Sequence, residues 1–185
     1  SDVVGVDISA DMIDYARSKG GRFELLDLSQ SSLDESFDLG TSFMMLHWPP
    51  PKARLAILKN VKKMCTTFCA GFHGQGSCEE GVLAVEASTE ITNLPSMFTR
   101  DSKEQWQNVF FEAGFSRVDI TERTIKTTYP DLEGCKMRLD AAWPPILLPH
   151  HSLSETNHIL QNAAEILYSK YDATMTSRVL EVTAS

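Results

Sequence analysis

Two acidic residues stand at the ends of the first two apolar runs of the chain. Asp7 closes the run Val3-Val4-Gly5-Val6, and Asp27 closes the run Phe23-Glu24-Leu25-Leu26. At the carboxyl end of a strand in a parallel α/β sheet, a carboxylate can accept hydrogen bonds from both hydroxyls of a ribose. A second carboxylate could accept from an exocyclic adenine amine. The pair therefore predicts an adenosine site, although a strand can also end in Asp simply to cap the next turn.

An imidazole and an indole follow the third apolar run. The stretch Phe37 to Phe43 continues into Leu46-His47-Trp48. Ligands of open α/β sheets bind at the carboxyl ends of the strands, so this pair is placed to face a substrate. His47 could take a proton from a hydroxyl. A turn histidine and a core tryptophan are the alternative interpretations.

Four residues with metal-binding side chains lie close together in the sequence: Cys65, Cys69, His73 and Cys78. Thiolate and imidazole groups can complete a tetrahedral zinc site. The spacing lacks the CxxC pairs of a zinc knuckle, and free, reduced thiols are expected in a chain of this length with few cysteines. We therefore predict no metal and keep zinc as the alternative.

The elements that must position these residues alternate between short β-rich runs and helical patterns, which is typical of a mostly parallel sheet covered by helices. We predict strands at 3–7, 22–26, 37–43 and 81–87, with a long connection of no assigned function at 65–80. Helices are expected at 10–17, after Pro49-Pro50-Pro51, and at 102–113, where Ser102 to Gln105 fits a capping box.

The last third of the chain has two strand patterns separated by a long segment. Residues 116–128 and 178–184 alternate polar and apolar side chains, which predicts an antiparallel pair with the last strand at the sheet edge. Residues 129–176, with one helix at 154–171, are placed to form a lid. The predicted fold is a single Rossmann-like α/β domain spanning 1–185, with an antiparallel edge strand and a helical insertion.

Composition excludes several classes of partner. The 185 residues carry 17 Lys plus Arg against 25 Asp plus Glu, a formal net charge of -8. This charge disfavours nucleic acid and anionic membranes. No apolar segment reaches the roughly 20 residues of a membrane span, and a secretion signal is not apparent. We expect a soluble, cytoplasmic protein that acts on a small molecule; its oligomeric state is not indicated.

Five motifs in order carry a resemblance to a known family: V-V-G-V-D-I-S, F-E-L-L-D-L, F-D-L-G-T-S-F-M-M-L-H-W, G-V-L-A-V-E-A-S and F-E-A-G-F. Their order and spacing over nearly the whole chain resemble a class I S-adenosylmethionine-dependent methyltransferase. The L-H-W sequence and the insertion before the last strand look most like the juvenile hormone acid and trans-aconitate type. That type implies methyl transfer to a small-molecule acceptor, and a carboxylate oxygen is the expected receiving atom.

The resemblance implies a role for each candidate residue. Asp7 would hold the ribose and Asp27 the adenine amine. The other cofactor-binding residues would be Ile8, Met12, Leu28, Ser42 and Phe43. His47 and Trp48 would face the acceptor, with His47 as the candidate catalytic base, and the lid would add Tyr129 and Trp143, for which a core role is the favoured alternative.

Two departures from the family pattern bear on activity. The family's first strand and glycine-rich turn are absent from this chain, so we expect a sheet that lacks its central strand. Residues 65–80 replace a short proline-glycine turn. A catalytically inactive methyltransferase-like module is therefore the alternative function. A nicotinamide dehydrogenase is a third, because Asp7 would suit its ribose equally well, but Asp27 and the lack of a second nucleotide-binding half disfavour it.

Overall fold

The computed structural model of the protein describes residues 3–91 and 100–185. The chain forms two compact units, each built from separate stretches. Unit 1 comprises Ser1–Phe72, Lys103–Thr121 and Glu181–Ser185, and unit 2 comprises His73–Ser102 and Glu122–Leu180. Unit 2 thus contains the whole segment 129–176, whose function as a lid to a single domain stays a prediction.

Unit 1 begins with a strand, a helix and a parallel strand: β1 (Val4–Asp7), α1 (Ala10–Ser18) and β2 (Arg22–Leu25). Ser9 caps α1, because its Oγ accepts from the Met12 amide at 3.3 Å. Gly20 follows the helix with a φ of +90°, a conformation that glycine adopts without strain. All three elements confirm the sequence prediction.

The next strand confirms its prediction, and the one after it does not. β3 (Phe37–Phe43) pairs in parallel with β4 (Cys65–His73), and α2 (Pro51–Met64) connects them. The predicted strand at 81–87 is wrong, since Glu79–Glu86 forms a helix, α3. Its buried residues Gly81, Val82, Ala84 and Val85 follow helical spacing. The strand lies instead within 65–80, the segment that the sequence predicts as a connection.

An aromatic cluster forms the core of unit 1. Helix α4 (Lys103–Glu112) contributes Trp106 and Phe110, both fully buried. The ring of Trp106 lies 4.5 Å from that of Phe72, and the rings of Phe110 and Phe115 lie 5.4 Å apart in an edge-to-face arrangement. Such pairs stabilise a core beyond the area that they bury. The predicted helix at 102–113 is confirmed.

The strands form two sheets within the described residues. β1 and β2 form one, and the other has the order β3-β4-β6-β5, with β5 at Val118–Thr128 and β6 at Thr174–Ala184. Backbone hydrogen bonds join Arg117 to Ser185 and Tyr129 to Ala173, so β5 and β6 are antiparallel as predicted. The predicted edge position of the last strand is wrong, because β5 is the edge. Alternation of side chains reports the two faces of a strand and not the number of its neighbours.

The predicted central strand would lie between the edges of β1 and β3. Among the described residues, β1 pairs with β2 and β3 pairs with β4. Val3, Leu39 and Phe43 at these strands are 76%, 54% and 71% exposed. Exposed apolar side chains on strand edges favour further pairing. The strand that the resemblance implies between β1 and β3 stays a prediction.

Unit 2 is built mainly from helices. α5 (Leu132–Asp140), α6 (Pro144–Leu147) and α7 (Leu153–Lys170) join α3 around an apolar core. Asp131 caps α5, and Ser152 and Glu155 form a reciprocal capping box on α7. The helix predicted at 154–171 is α7, whereas α5 and α6 were not predicted. No described helix is long and apolar enough to be a candidate for crossing a membrane.

The cysteines give no sign of a metal centre. All four are free thiols. Within residues 3–91 and 100–185, no group of three or more His, Cys, Asp and Glu side chains could hold a metal ion. The zinc alternative therefore has no support in the described part of the chain.

His73 is a buried histidine in unit 2 that is hydrogen-bonded to Ser77. Its Nδ1 lies 2.7 Å from Ser77 Oγ, which accepts from the Arg178 amide at 3.0 Å. The Ser77 hydroxyl is thus free to donate to Nδ1. Burial, together with the charges of Arg100 and Arg138, lowers the pKa of His73 from 6.5 to about 4. The imidazole is therefore neutral in the folded protein at neutral pH.

We expect His73 to make the protein acid-sensitive. Its pKa is 6.5 in the unfolded chain and about 4 in the folded one, so only the unfolded chain gains a proton as pH falls between these values. Stability present above pH 6.5 should fall by about 3 kcal/mol by pH 4. Urea unfolding at several pH values measures this. In His73→Asn, whose Oδ1 can accept from Ser77, the fall should be smaller; parallel profiles would contradict the assignment.

Candidate functional site

Asp7 ends β1 and fixes the turn that leads into α1. Its Oδ1 accepts from the Ser9 amide at 2.8 Å. This is the turn-capping role that the sequence left open. A carboxylate has two oxygens and about four acceptor sites, so one hydrogen bond leaves capacity for a ligand. The side chain is exposed and lines a cavity described below.

Asp27 follows β2 in the same way. Its Oδ1 accepts from the Ser29 amide at 2.8 Å, and its carbonyl oxygen accepts from Gln30 and Ser31. Asp7 is paired with Leu25 in the register of β1 and β2, and the Leu26 amide donates to the Asp7 carbonyl oxygen at 2.9 Å. The two strands therefore end side by side. This brings both carboxylates to one edge of the small sheet.

A cavity of about 460 Å³ lies at this edge of unit 1. Its wall is made by three stretches and one helix face: 6–8, 26–29, Met45 with 48–50, and Ala53 with Ile57 of α2. Asp7 and Asp27 are the acidic groups of this wall, and most of the other side chains are apolar. A few fixed polar groups in an apolar cavity are typical of a small-molecule site. Four predicted cofactor residues, Asp7, Ile8, Asp27 and Leu28, are thus brought together.

A second cavity of about 400 Å³ shares residues with the first. Val6, Asp7, Leu28 and Met45 belong to both walls. The second wall also contains Ser42 and Phe43 at the end of β3, with Val61 and Met64 of α2. Two more predicted cofactor residues, Ser42 and Phe43, therefore line a cavity that adjoins the one with Asp7 and Asp27. Met12 does not line either one; it lies 56% exposed on α1.

The turn after β3 positions His47 and Trp48. Met44 has a φ of +56° and donates to the Gly71 carbonyl oxygen, and Leu46 is fully buried, which anchors the turn. The two rings lie 5.2 Å apart. Trp48 is 58% exposed and lines the first cavity, beside the two carboxylates. His47 is half-buried and is not part of that wall.

The two candidates from the predicted lid lie in unit 2. Trp143 is buried in the helical core, and Tyr129 packs against that core. The Tyr129 hydroxyl lies 3.8 Å from Met175 Sδ, and burial raises the pKa of the phenol. These surroundings fit the core role that the sequence favoured for both residues. Their contact with an acceptor stays a prediction.

The sequence did not predict the contribution of α2. Ala53 and Ile57 lie one turn apart on the same face and form one wall of the first cavity, and Pro49 and Pro50 precede them. The signal was present, because a helix that begins with Pro51 directly after a ligand-end turn must carry its first residues past the site. The apolar residues and lysines of that helix indicated a core face and a surface face, but no face toward a ligand.

Comparisons with known proteins find similarity to methyltransferases. Residues 1–67 match a family described as a methyltransferase domain. An uncharacterized methyltransferase of Schizosaccharomyces pombe is 32% identical over 144 residues, which cover 68% of this chain and 55% of the relative. The chain thus spans about half the length of this curated relative.

Solved structures show the same fold. A candidate methyltransferase from Bacillus halodurans has a TM-score of 0.57 at 15% identity, covering 100% of this chain and 82% of that one. Phosphoethanolamine N-methyltransferase 2 from Haemonchus contortus, in complex with S-adenosyl-L-methionine, has a TM-score of 0.57 at 14% identity, covering 99% and 43%. At these identities the likeness shows the Rossmann-like fold alone.

Proposed function

We propose that this methyltransferase-like chain binds S-adenosylmethionine in the cavities of unit 1 and takes part in methyl transfer to a small-molecule acceptor, with a carboxylate oxygen as the receiving atom. One observation carries the proposal. Asp7 ends β1, Asp27 follows the neighbouring parallel strand β2, and both line one cavity whose other walls are mainly apolar. Ribose hydroxyls and the adenine amine are all donors, so two carboxylates suit this nucleoside.

The remaining residues fit the other parts of the cofactor. Ile8 and Leu28 supply apolar surface for the adenine, and Ser42 and Phe43 line the adjoining cavity that would receive the methionine portion. When bound, the cofactor supplies an electrophilic methyl group on a sulfonium. The residues of this chain would bind the cofactor and the acceptor, orient them and exclude water, since an in-line displacement depends mainly on alignment.

The choice of acceptor rests on the proton balance. A carboxylate is ionised at neutral pH and attacks without a general base. The described residues that line the two cavities include no histidine or lysine that could act as a general base, and no pair of cysteines. His47 beside Trp48 would serve as the proton acceptor for a hydroxyl substrate. Equal turnover on a carboxylic acid and on its alcohol analogue would oppose the carboxylate.

A second candidate function is a non-catalytic module that binds the cofactor or a partner. The separation of β1–β2 from the four-stranded sheet favours it, because β1 and β3, which line the second cavity together, are not paired with each other among the described residues. Calorimetry with S-adenosylhomocysteine, followed by a methyl-transfer assay with carboxylic acids, separates the two. Binding without turnover would support the module, and absence of binding by the intact protein would oppose both cofactor proposals.

We expect Trp48→Ala to weaken cofactor binding by about 1–3 kcal/mol, because base stacking on an aromatic ring has this magnitude and Trp48 lines the cavity of the two carboxylates. Calorimetry with S-adenosylhomocysteine measures the change. His47→Ala serves as the matched control, since His47 is adjacent but outside that wall. Unchanged affinity together with an at least tenfold loss of turnover would instead give Trp48 the acceptor role predicted from the sequence.

A further inference from the structure

Two polar side chains of α2 are buried: Arg54, 3% exposed, and Asn60, 8% exposed. They lie on the inner part of a helix whose other buried residues are Ile57, Leu58, Val61 and Met64. Burying a guanidinium or an amide is costly unless its hydrogen bonds are satisfied. An apolar side chain would fill either position at lower cost, so the partners of these two groups are informative.

Arg54 is tied to the turn that carries Trp48. Its Nε donates to the Pro49 carbonyl oxygen at 2.9 Å. Its guanidinium also lies over the Trp106 ring, 5.0 Å from the centroid. Trp106 in turn is fixed against Phe72 in the aromatic core. One side chain thus connects the cavity wall at Pro49 and Pro50 to the aromatic core of unit 1.

Asn60 is tied to the other wall. Its Nδ2 donates to the Leu28 carbonyl oxygen at 2.8 Å, and its Oδ1 accepts from Lys63 Nζ at 3.1 Å. The second bond fixes which way the amide points, because an ammonium group can only donate. Leu28 lines both cavities and is adjacent to Asp27. The amide therefore holds the loop that presents the second carboxylate.

We infer that Arg54 and Asn60 are positioning residues of the cofactor site: through side-chain hydrogen bonds, α2 holds the 47–50 turn and the 26–29 loop at fixed places. They act through Trp48 and Asp27 and need not touch the ligand. The inference deepens the proposed function and rests on it for the identity of the ligand. The two bonds themselves do not involve a ligand.

Hydrogen exchange on the empty protein tests the inference without any ligand. In Arg54→Met the Trp48 amide, which donates to the Met45 carbonyl oxygen, should exchange roughly tenfold faster. The amides of Ser29 and Gln30 should stay nearly unchanged. In Asn60→Leu the pattern should reverse. Equal acceleration of both loops in both variants, or in neither loop, would overturn the inference.

A matched control separates local from general loosening. Leu58→Ala removes a fully buried side chain of the same helix that does not line either cavity. It should lower global stability and accelerate both loops together. Arg54→Lys keeps the charge and the stem but loses the planar fork, so it should restore only part of the protection of the Trp48 amide.

Calorimetry with S-adenosylhomocysteine adds the functional readout. Arg54→Met and Asn60→Leu should each weaken binding about tenfold at temperatures where all variants remain folded, whereas Leu58→Ala should bind like the parent. If the parent protein does not bind the compound, the proposed function fails while the exchange pattern still decides the inference. If the parent binds and both variants bind equally well, the positioning role is refuted.

Discussion

Trp106→Ala should destabilise the protein by about 3–5 kcal/mol, the usual cost of removing a buried indole from a core. Trp106 is fully buried on α4 and contacts the ring of Phe72, and the guanidinium of Arg54 stacks on it. Few neighbours can move in to fill the space, because the cluster is formed by large, rigid rings. The variant also removes the surface on which Arg54 rests, so cofactor binding should weaken in the folded fraction.

Urea unfolding followed by circular dichroism measures this loss. Phe111→Ala on the same helix is the control, since Phe111 is 47% exposed and its removal should cost far less. A slope with denaturant that differs between the parent and Trp106→Ala would indicate either a change in the compactness of the denatured or native state or unfolding that is no longer a single transition. A loss below about 1 kcal/mol would contradict the central position assigned to this ring.

Asp7→Asn and Asp27→Asn should each weaken S-adenosylhomocysteine binding by about 1.5–3 kcal/mol, the value of a charge-assisted hydrogen bond. Asparagine keeps an Oδ1 that can accept from Ser9 or Ser29, so the turns should persist. The free energy of unfolding should change by less than about 1 kcal/mol. The double variant should show no measurable binding.

Calorimetry on the intact protein checks both variants. Asp14→Asn removes the same charge from an exposed position of α1 that lines neither cavity, and it controls for the change in net charge. Alanine variants of Asp7 and Asp27 add the cost of the turn to that of the charge. Unchanged affinity in both asparagine variants would rule out the adenosine assignment, whatever the fold.

The sequence predicted the elements that have a clear local signal. Ser9 as a cap, Gly20 after α1 and the run from Phe37 to Phe43 each carry such a signal, and the structure places these elements within a residue or two. The run Gly81 to Ala87 carried none, because a short apolar stretch fits a buried strand and a buried helix equally. The acidic pair Glu79-Glu80 favours a helix start.

The same limit explains β4. Cys65 to His73 contains glycine and two cysteines, which suggested a connection, yet Phe68, Ala70 and Phe72 alternate toward the core. The candidate site followed from the sequence at Asp7 and Asp27, since strand ends fix them. The contribution of Asn60 could not be predicted, because it depends on how α2 packs against the 26–29 loop.

The order of the strands has a consequence for synthesis on the ribosome. β6 lies between β4 and β5 in the sheet but is the last of the three to be made, and residues 181–185 belong to unit 1 together with residues far earlier in the sequence. Until these residues emerge, β4 and β5 each lack a neighbour that they need. Pairings so distant in sequence form slowly and leave strand edges exposed meanwhile. A nascent chain stalled before Thr174 should therefore be protease-sensitive throughout unit 1 and should depend on chaperones.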